Sequence, residues 1–225
     1  MITMLNELYE PDGKRLTTLI IGAAGSGKST HLKHGLLAFM NRNKDEHLRL
    51  LYVCPKHEMD LGEGTYTPIH KLDKHIQKNR ISVVYPDPMN LEEEVSDLIN
   101  YVFDISEANP EFKCVFCVDD SQIFLSSTKR PDPAWTRLSL TGRSRGIRLV
   151  SIAHEPVFSK ILEGSVSYIV HFRTLLSPMR IKDFSNRYGY NPEPYIEPLN
   201  TVPYSHIFFD VTTGKAQLMK PLELS

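Results

Sequence analysis

The sequence predicts an α/β fold built on a doubly wound, mostly parallel sheet, with a small C-terminal β-hairpin added to it. Three observations carry this. Short β-branched apolar runs alternate with segments of helical spacing, the pattern of strand–helix–strand crossovers. The run Cys114-Val-Phe-Cys-Val118 is apolar throughout, as in a strand covered on both faces. A glycine-rich stretch, 22–29, joins the first strand to the first helix of the alternation. With 225 residues, 41% hydrophobic and 24% charged, the chain fits a single domain, 1–225. Its core spans about 16–172 and its C-terminal extension about 173–225; no Gly/Ser-rich linker divides it.

The elements follow in order. Residues 16–21 form the first strand. Residues 28–40 space Leu32, Leu36, Leu37 and Met40 along one helix side. A second strand, 48–53, stops before Pro55, and 56–80 is a long polar loop. Residues 81–85 form a third strand, closed by Pro86 and Pro88. Asn90 is placed to cap a helix through about 106, with Glu92 to Glu94 where the helix dipole favours acids. A fourth strand covers 113–118, a helix 133–143, a fifth strand 148–153, a short helix 157–162 and a sixth strand 166–172. The tail changes character, with five prolines between Pro178 and Pro203, and then reads as a hairpin or edge-strand addition, 207–211 and 216–219, turning at Thr213-Gly214.

Net charge is -1 and the isoelectric point about 6.8, which excludes a freestanding, strongly basic nucleic-acid binder. Any grip on DNA is local, or shared among copies around a ring. Cys54, Cys114 and Cys117 are an odd count in a long chain, which argues against a disulfide framework. Cys114 and Cys117 lack a second ligand pair at zinc spacing and read as buried strand residues. The first residues carry no signal-peptide pattern and no run approaches a membrane span, so the expectation is an intracellular protein.

Gly22-Ala23-Ala24-Gly25-Ser26-Gly27-Lys28-Ser29 fits G-x-x-x-x-G-K-[ST] at every position, after a strand and at a helix start. Such a loop turns successive N–H groups, and those of Thr30 at the helix N-terminus, toward phosphate oxygens. Lys28 is the candidate for the β/γ-phosphates of ATP and Ser29 for Mg²⁺. Asp119 and Asp120 follow the fourth strand, at the sheet edge where the phosphate loop lies. Asp119 is the candidate metal ligand and Asp120 the residue polarising the attacking water. Gly142-Arg-Ser-Arg-Gly-Ile-Arg148 precedes the fifth strand, and Arg143 and Arg145 are candidates for reaching a neighbouring subunit's γ-phosphate. His154, at that strand's end, is placed to sense the γ-phosphate.

In this order, these motifs resemble the FtsK–HerA superfamily of DNA-pumping ATPases, and most closely the small genome-packaging ATPases of icosahedral viruses with an internal membrane. The resemblance covers about 16–172 and includes the Gly-Arg-x-x-Gly-Ile turn at Gly142–Ile147. It implies a RecA-like sheet with an extra strand beside the phosphate loop. It further implies a homo-oligomeric ring, a hexamer, passing double-stranded DNA without reading sequence into a preformed capsid at a vertex or portal in the host cytoplasm. Asp120 stands where the family usually has Glu, and His154 where a Gln is usual. Lys56, His57, Lys71, Lys74, His75, Lys78 and Arg80, with Lys129 and Arg130, are candidate channel-lining DNA contacts. A non-viral translocase or secretion-type ATPase, a nucleotide or nucleoside kinase, and a nucleotide-switched regulator share the phosphate loop; no arginine-rich kinase lid is evident.

Overall fold

The computed structural model describes residues 2–12, 14, 17–56, 61, 65–66, 72, 76, 79–125, 130–154, 159–174 and 177–221. Strand β1 (Thr17–Ile21) leads through the glycine-rich loop into α2 (Lys28–Arg42), and a short helix α1 (Ile2–Tyr9) precedes both. Then come β2 (Leu48–Val53), β3 (Thr65–Tyr66), β4 (Ile81–Val84), α3 (Leu91–Ala108), β5 (Lys113–Val118), α4 (Pro133–Thr141), β6 (Ile147–Ala153), α5 (Lys160–Ser165) and β7 (Val166–Phe172). The extension holds α6 (Pro178–Tyr188), α7 (Ile196–Thr201), β8 (His206–Asp210) and β9 (Lys215–Met219).

The described strands form one sheet in the order β3-β4-β2-β5-β6-β1-β7-β8-β9. Every pairing is parallel up to β7; β8 and β9 add on antiparallel. Strand β6 therefore lies between β1 and β5. The C-terminal ends of these strands share one edge, so the phosphate loop, Asp119 and His154 meet there. Strand β5 was expected to be apolar on both faces, and helices cover both. One apolar layer packs Leu19, Ile21, Cys114, Phe116 and Val118 with Val95, Ile99, Phe103 and Trp135 of α3 and α4. The other packs Ile20, Val115, Cys117 and Val150 with Leu32, Leu36 and Phe39 of α2. Cys114 and Cys117 thus point to opposite faces, three strand positions apart, and all three cysteines are free and buried.

Helix α1 was not expected from the sequence. Its anchor is Arg148, fully buried on β6, which donates to the carbonyls of Glu7 and Leu8 at 2.9 and 3.2 Å and to the Thr18 hydroxyl at 2.9 Å. Those carbonyls belong to the last turn of α1, where no intrahelical donor reaches them and a cation suits the helix dipole.

Other expectations need correction. Leu37 is only partly buried; Gly35 takes the inner position beneath Tyr9. Asn90 stands at the cap of α3 without a side-chain cap bond, whereas Asp132 caps α4 by accepting from the Ala134 amide at 2.8 Å. The short helix after β6 starts later, at Lys160, its Ser159 cap accepting from the Leu162 amide; residues 157–158 lie outside the described residues. The proline-rich part of the tail holds helices that were not expected. Pro178 opens α6 and Pro198 lies in the first turn of α7, positions whose N–H has no intrahelical partner to lose. The hairpin forms as expected, with Asp210 Oδ1 accepting from the amides of Thr212 and Thr213. Among the described residues no helix is long and apolar enough to cross a membrane.

Candidate active site

The phosphate loop hangs between the ends of two strands. The Gly22 amide donates to Ala153 at the end of β6 (3.3 Å), and the Ala23 amide to Arg173 just past β7 (2.7 Å). Gly25 and Gly27 take left-handed backbone, at φ +71° and +96°, which a side chain would strain. These turns point the loop toward the start of α2, where the amides of Lys28, Ser29 and Thr30 lack intrahelical acceptors and suit an anion. Ser29 and Thr30 are exposed there.

Lys28 is 6% exposed, and its ammonium donates to the loop's own carbonyls, Gly22 at 2.6 Å and Ala23 at 2.9 Å. Burial holds its pKa below the usual lysine range, opposed by Asp119 and Asp120. Its third neighbour is His154, with Nδ1 at 3.4 Å. An ammonium only donates, so Nδ1 accepts and the proton sits on Nε2, which faces Asp120 Oδ1 at 3.2 Å. Lysine, histidine and aspartate form one chain of contacts.

Asp120 is 5% exposed and takes left-handed backbone at φ +47°, tolerated by Asp better than by most residues. Its Oδ2 pairs with Lys56 Nζ at 2.6 Å, and Gln122 Nε2 donates to Oδ1 at 3.2 Å. Asp119 accepts from the Tyr52 hydroxyl at 3.1 Å and from the Asp120 amide at 2.9 Å. Burial, then the neighbouring Asp120 charge, pushes the Asp119 carboxyl above the usual range. A divalent cation would relieve both strains on its charged form.

No cluster of three or more acidic, histidine or cysteine ligands exists among the described residues. Mg²⁺ binds through one or two carboxylates together with phosphate oxygens and water. Asp119, half-buried beside Lys28, and the exposed Ser29 hydroxyl are a fitting donor set.

The sequence expectations divide here. Gly22 to Thr30, Asp119, Asp120 and His154 converge at one sheet edge. Arg143 and Arg145 do not join them. They sit exposed in the turn before β6, at the opposite edge, where Arg145 lies 3.5 Å from Glu107. A strand of seven residues, Ile147–Ala153, separates them from this site, roughly 20 Å. Lys56 faces Asp120. Arg80 precedes β4 at the far edge and donates to the Asn43 carbonyl at 2.7 Å, so it does not share an edge with Lys56. Arg130 is exposed; His57, Lys71, Lys74, His75, Lys78 and Lys129 lie outside the described residues. Tyr52, Gln122 and Arg173 also contact this site and were not expected from the sequence. Tyr52, Gln122 and Arg173 carry the one available signal, a polar group at or just past a strand's C-terminal end.

No family model matches this sequence, and no curated protein matches it either. Solved structures do. The genome packaging NTPase B204 from Sulfolobus turreted icosahedral virus 2, in complex with sulfate, matches with TM-score 0.75 at 17% identity, over 93% of this chain and 98% of B204. The DNA-packaging ATPase B204 from Sulfolobus turreted icosahedral virus gives 0.72 at 18%, over 96% and 100%. EssC (ATPases 2 and 3) from Geobacillus thermodenitrificans gives 0.62 at 14%, over 95% of this chain and 41% of that one. These neighbours are the kind that the FtsK–HerA resemblance anticipated, and they identify the fold as that of RecA-like P-loop NTPases.

Proposed function

We propose that this chain is a Mg²⁺-dependent ATPase that drives double-stranded DNA through a ring of its own copies, packaging a viral genome. The single observation that carries the hydrolytic part is the contact chain from Lys28 through His154 to Asp120, with Asp119 beside it, at the mouth of a complete phosphate loop. Asp119 and the Ser29 hydroxyl would hold Mg²⁺, which when bound would supply positive charge to offset that of the phosphates. Lys28, here held by the carbonyls of its own loop, is the cation for the negative charge of the β/γ-phosphates. The loop amides orient the phosphates. Asp120, presented by its left-handed backbone, polarises the attacking water and accepts its proton, while its Oδ1 faces the Nε2 of His154. This division is the one phosphoryl transfer requires, since the protein contributes positioning and charge rather than covalent chemistry.

The DNA and packaging parts rest on the likeness over nearly the full length of the small packaging ATPases, and on Lys56 linking Asp120 to the loop that follows β2. The hexamer, the capsid vertex and the DNA contacts belong to this proposal. Lys28→Ala is the first test. Loss of ATPase activity by a hundredfold or more, with an unchanged melting transition, is the expected result. Steady turnover in that variant removes the assignment. Stimulation of the intact protein by duplex DNA, fading as salt rises, separates a DNA motor from a kinase or a secretion ATPase.

A further inference from the structure

The carboxylates and His154 lie on the β5–β6 side of the phosphate loop. On its other side, toward β7 and β8, is a cleft of about 230 Å³ lined by Gly25, Ser26, Arg173, Asn200, Pro203 and Tyr204. Tyr204 is unusual in two respects. It takes left-handed backbone at φ +60°, a conformation that a bulky side chain adopts only when its surroundings impose it. It is also 61% exposed, so burial gives little return for that strain. Yet its ring presses on the phosphate loop: a Cβ on Gly27 would lie 2.7 Å from Tyr204 Cδ1. Arg173 is tied to the same loop through its carbonyl, which accepts from the Ala23 amide at 2.7 Å.

A triphosphate whose reactive end faces Asp120 must carry its remaining part to the opposite side of the loop. That side is the cleft. We infer that Tyr204 stacks the base of a bound nucleoside triphosphate, so that the C-terminal extension, through Tyr204 and Arg173, completes the nucleotide site; this rests on the function proposed above. An aromatic ring offers a face to any base, so Tyr204 adds affinity without selecting among bases. The ligand class is then a nucleoside triphosphate rather than a bare polyphosphate.

The test compares binding of ATP, GTP and inorganic tripolyphosphate to the intact protein, Tyr204→Asn and Tyr204→Phe. Asparagine suits the left-handed backbone, so it removes the ring without adding strain. Tyr204→Asn should weaken ATP and GTP about tenfold and leave tripolyphosphate within about twofold. Tyr204→Phe should bind all three as the intact protein does. Equal loss of ATP and tripolyphosphate in Tyr204→Asn would mean that Tyr204 only shapes the loop, and overturns the inference, as does unchanged ATP affinity. Both results leave the ATPase reading standing. An intact protein that binds neither ATP nor tripolyphosphate overturns that reading, and this inference with it.

Discussion

Asp120 shows how one side chain takes its role from its surroundings. It is one methylene shorter than a glutamate, and its backbone takes the left-handed region, at φ +47°. Its oxygens face Lys56, His154 and Gln122, which fix the carboxylate's direction. Asp120→Asn keeps the size and loses the proton acceptor. We expect kcat to fall about a hundredfold or more while ATP affinity stays within about threefold, measured by steady-state turnover and equilibrium binding. A variant with near-normal kcat would show that another group takes the proton. The acidic pair was legible in the sequence because it follows an apolar strand behind a phosphate loop. Its partners were not, because Lys56 and Gln122 reach Asp120 through backbone turns that no local pattern encodes.

At the scale of elements, the C-terminal extension is joined to the phosphate-loop helix by a buried ring cluster. His31 of α2 lies 4.4 Å from His206 of β8, and Phe172 of β7 stands 5.3 and 5.0 Å from the two, centroid to centroid. Burial pulls the His31 pKa down to about 3 and that of His206 to about 4, from an ordinary value of 6.5. Both are neutral in the fold, while the unfolded chain protonates them below pH 6.5. The unfolded state therefore binds more protons in that window, and stability is lost as pH falls from about 6.5 toward 4. His206→Phe should flatten the fall in melting temperature between pH 6.5 and 5, where most carboxylates are still ionised. Identical slopes in the variant and the intact protein would show that His206 carries no such linkage. Strand and helix periods were readable for the core elements. Helices α6 and α7 were obscured by prolines, since proline in a first turn and proline in a loop look alike without the neighbours that hold the turn.

For the whole molecule, the position of Arg143 and Arg145 is decisive. Parallel strands put their C-terminal ends at one edge, and these arginines precede a strand. They cannot serve the phosphate loop of their own chain, so any role at a phosphate is exercised on a neighbour. Mixing two inactive proteins tests this. Lys28→Ala chains keep the arginines, and Arg143→Ala/Arg145→Ala chains keep the phosphate loop. In rings assembled from equal amounts, about a quarter of sites pair an intact Lys28 with intact arginines, and ATPase activity should reappear to that extent. A mixture as inactive as its parts removes the role across the interface.

The sequence by itself determined the phosphate loop, the acidic strand end and the parallel sheet that brings them to one edge, because each is written in residues close along the chain: glycines that permit left-handed turns, apolar runs that must be covered, acids that follow them. Which distant groups complete the site follows from the packed fold alone. Lys56, Tyr52, Arg173 and Tyr204 come from different connections, and their approach depends on how the sheet orders its strands and on the extension closing beside β7. Strand order is set by packing over both faces at once, and no stretch of sequence carries that sum alone.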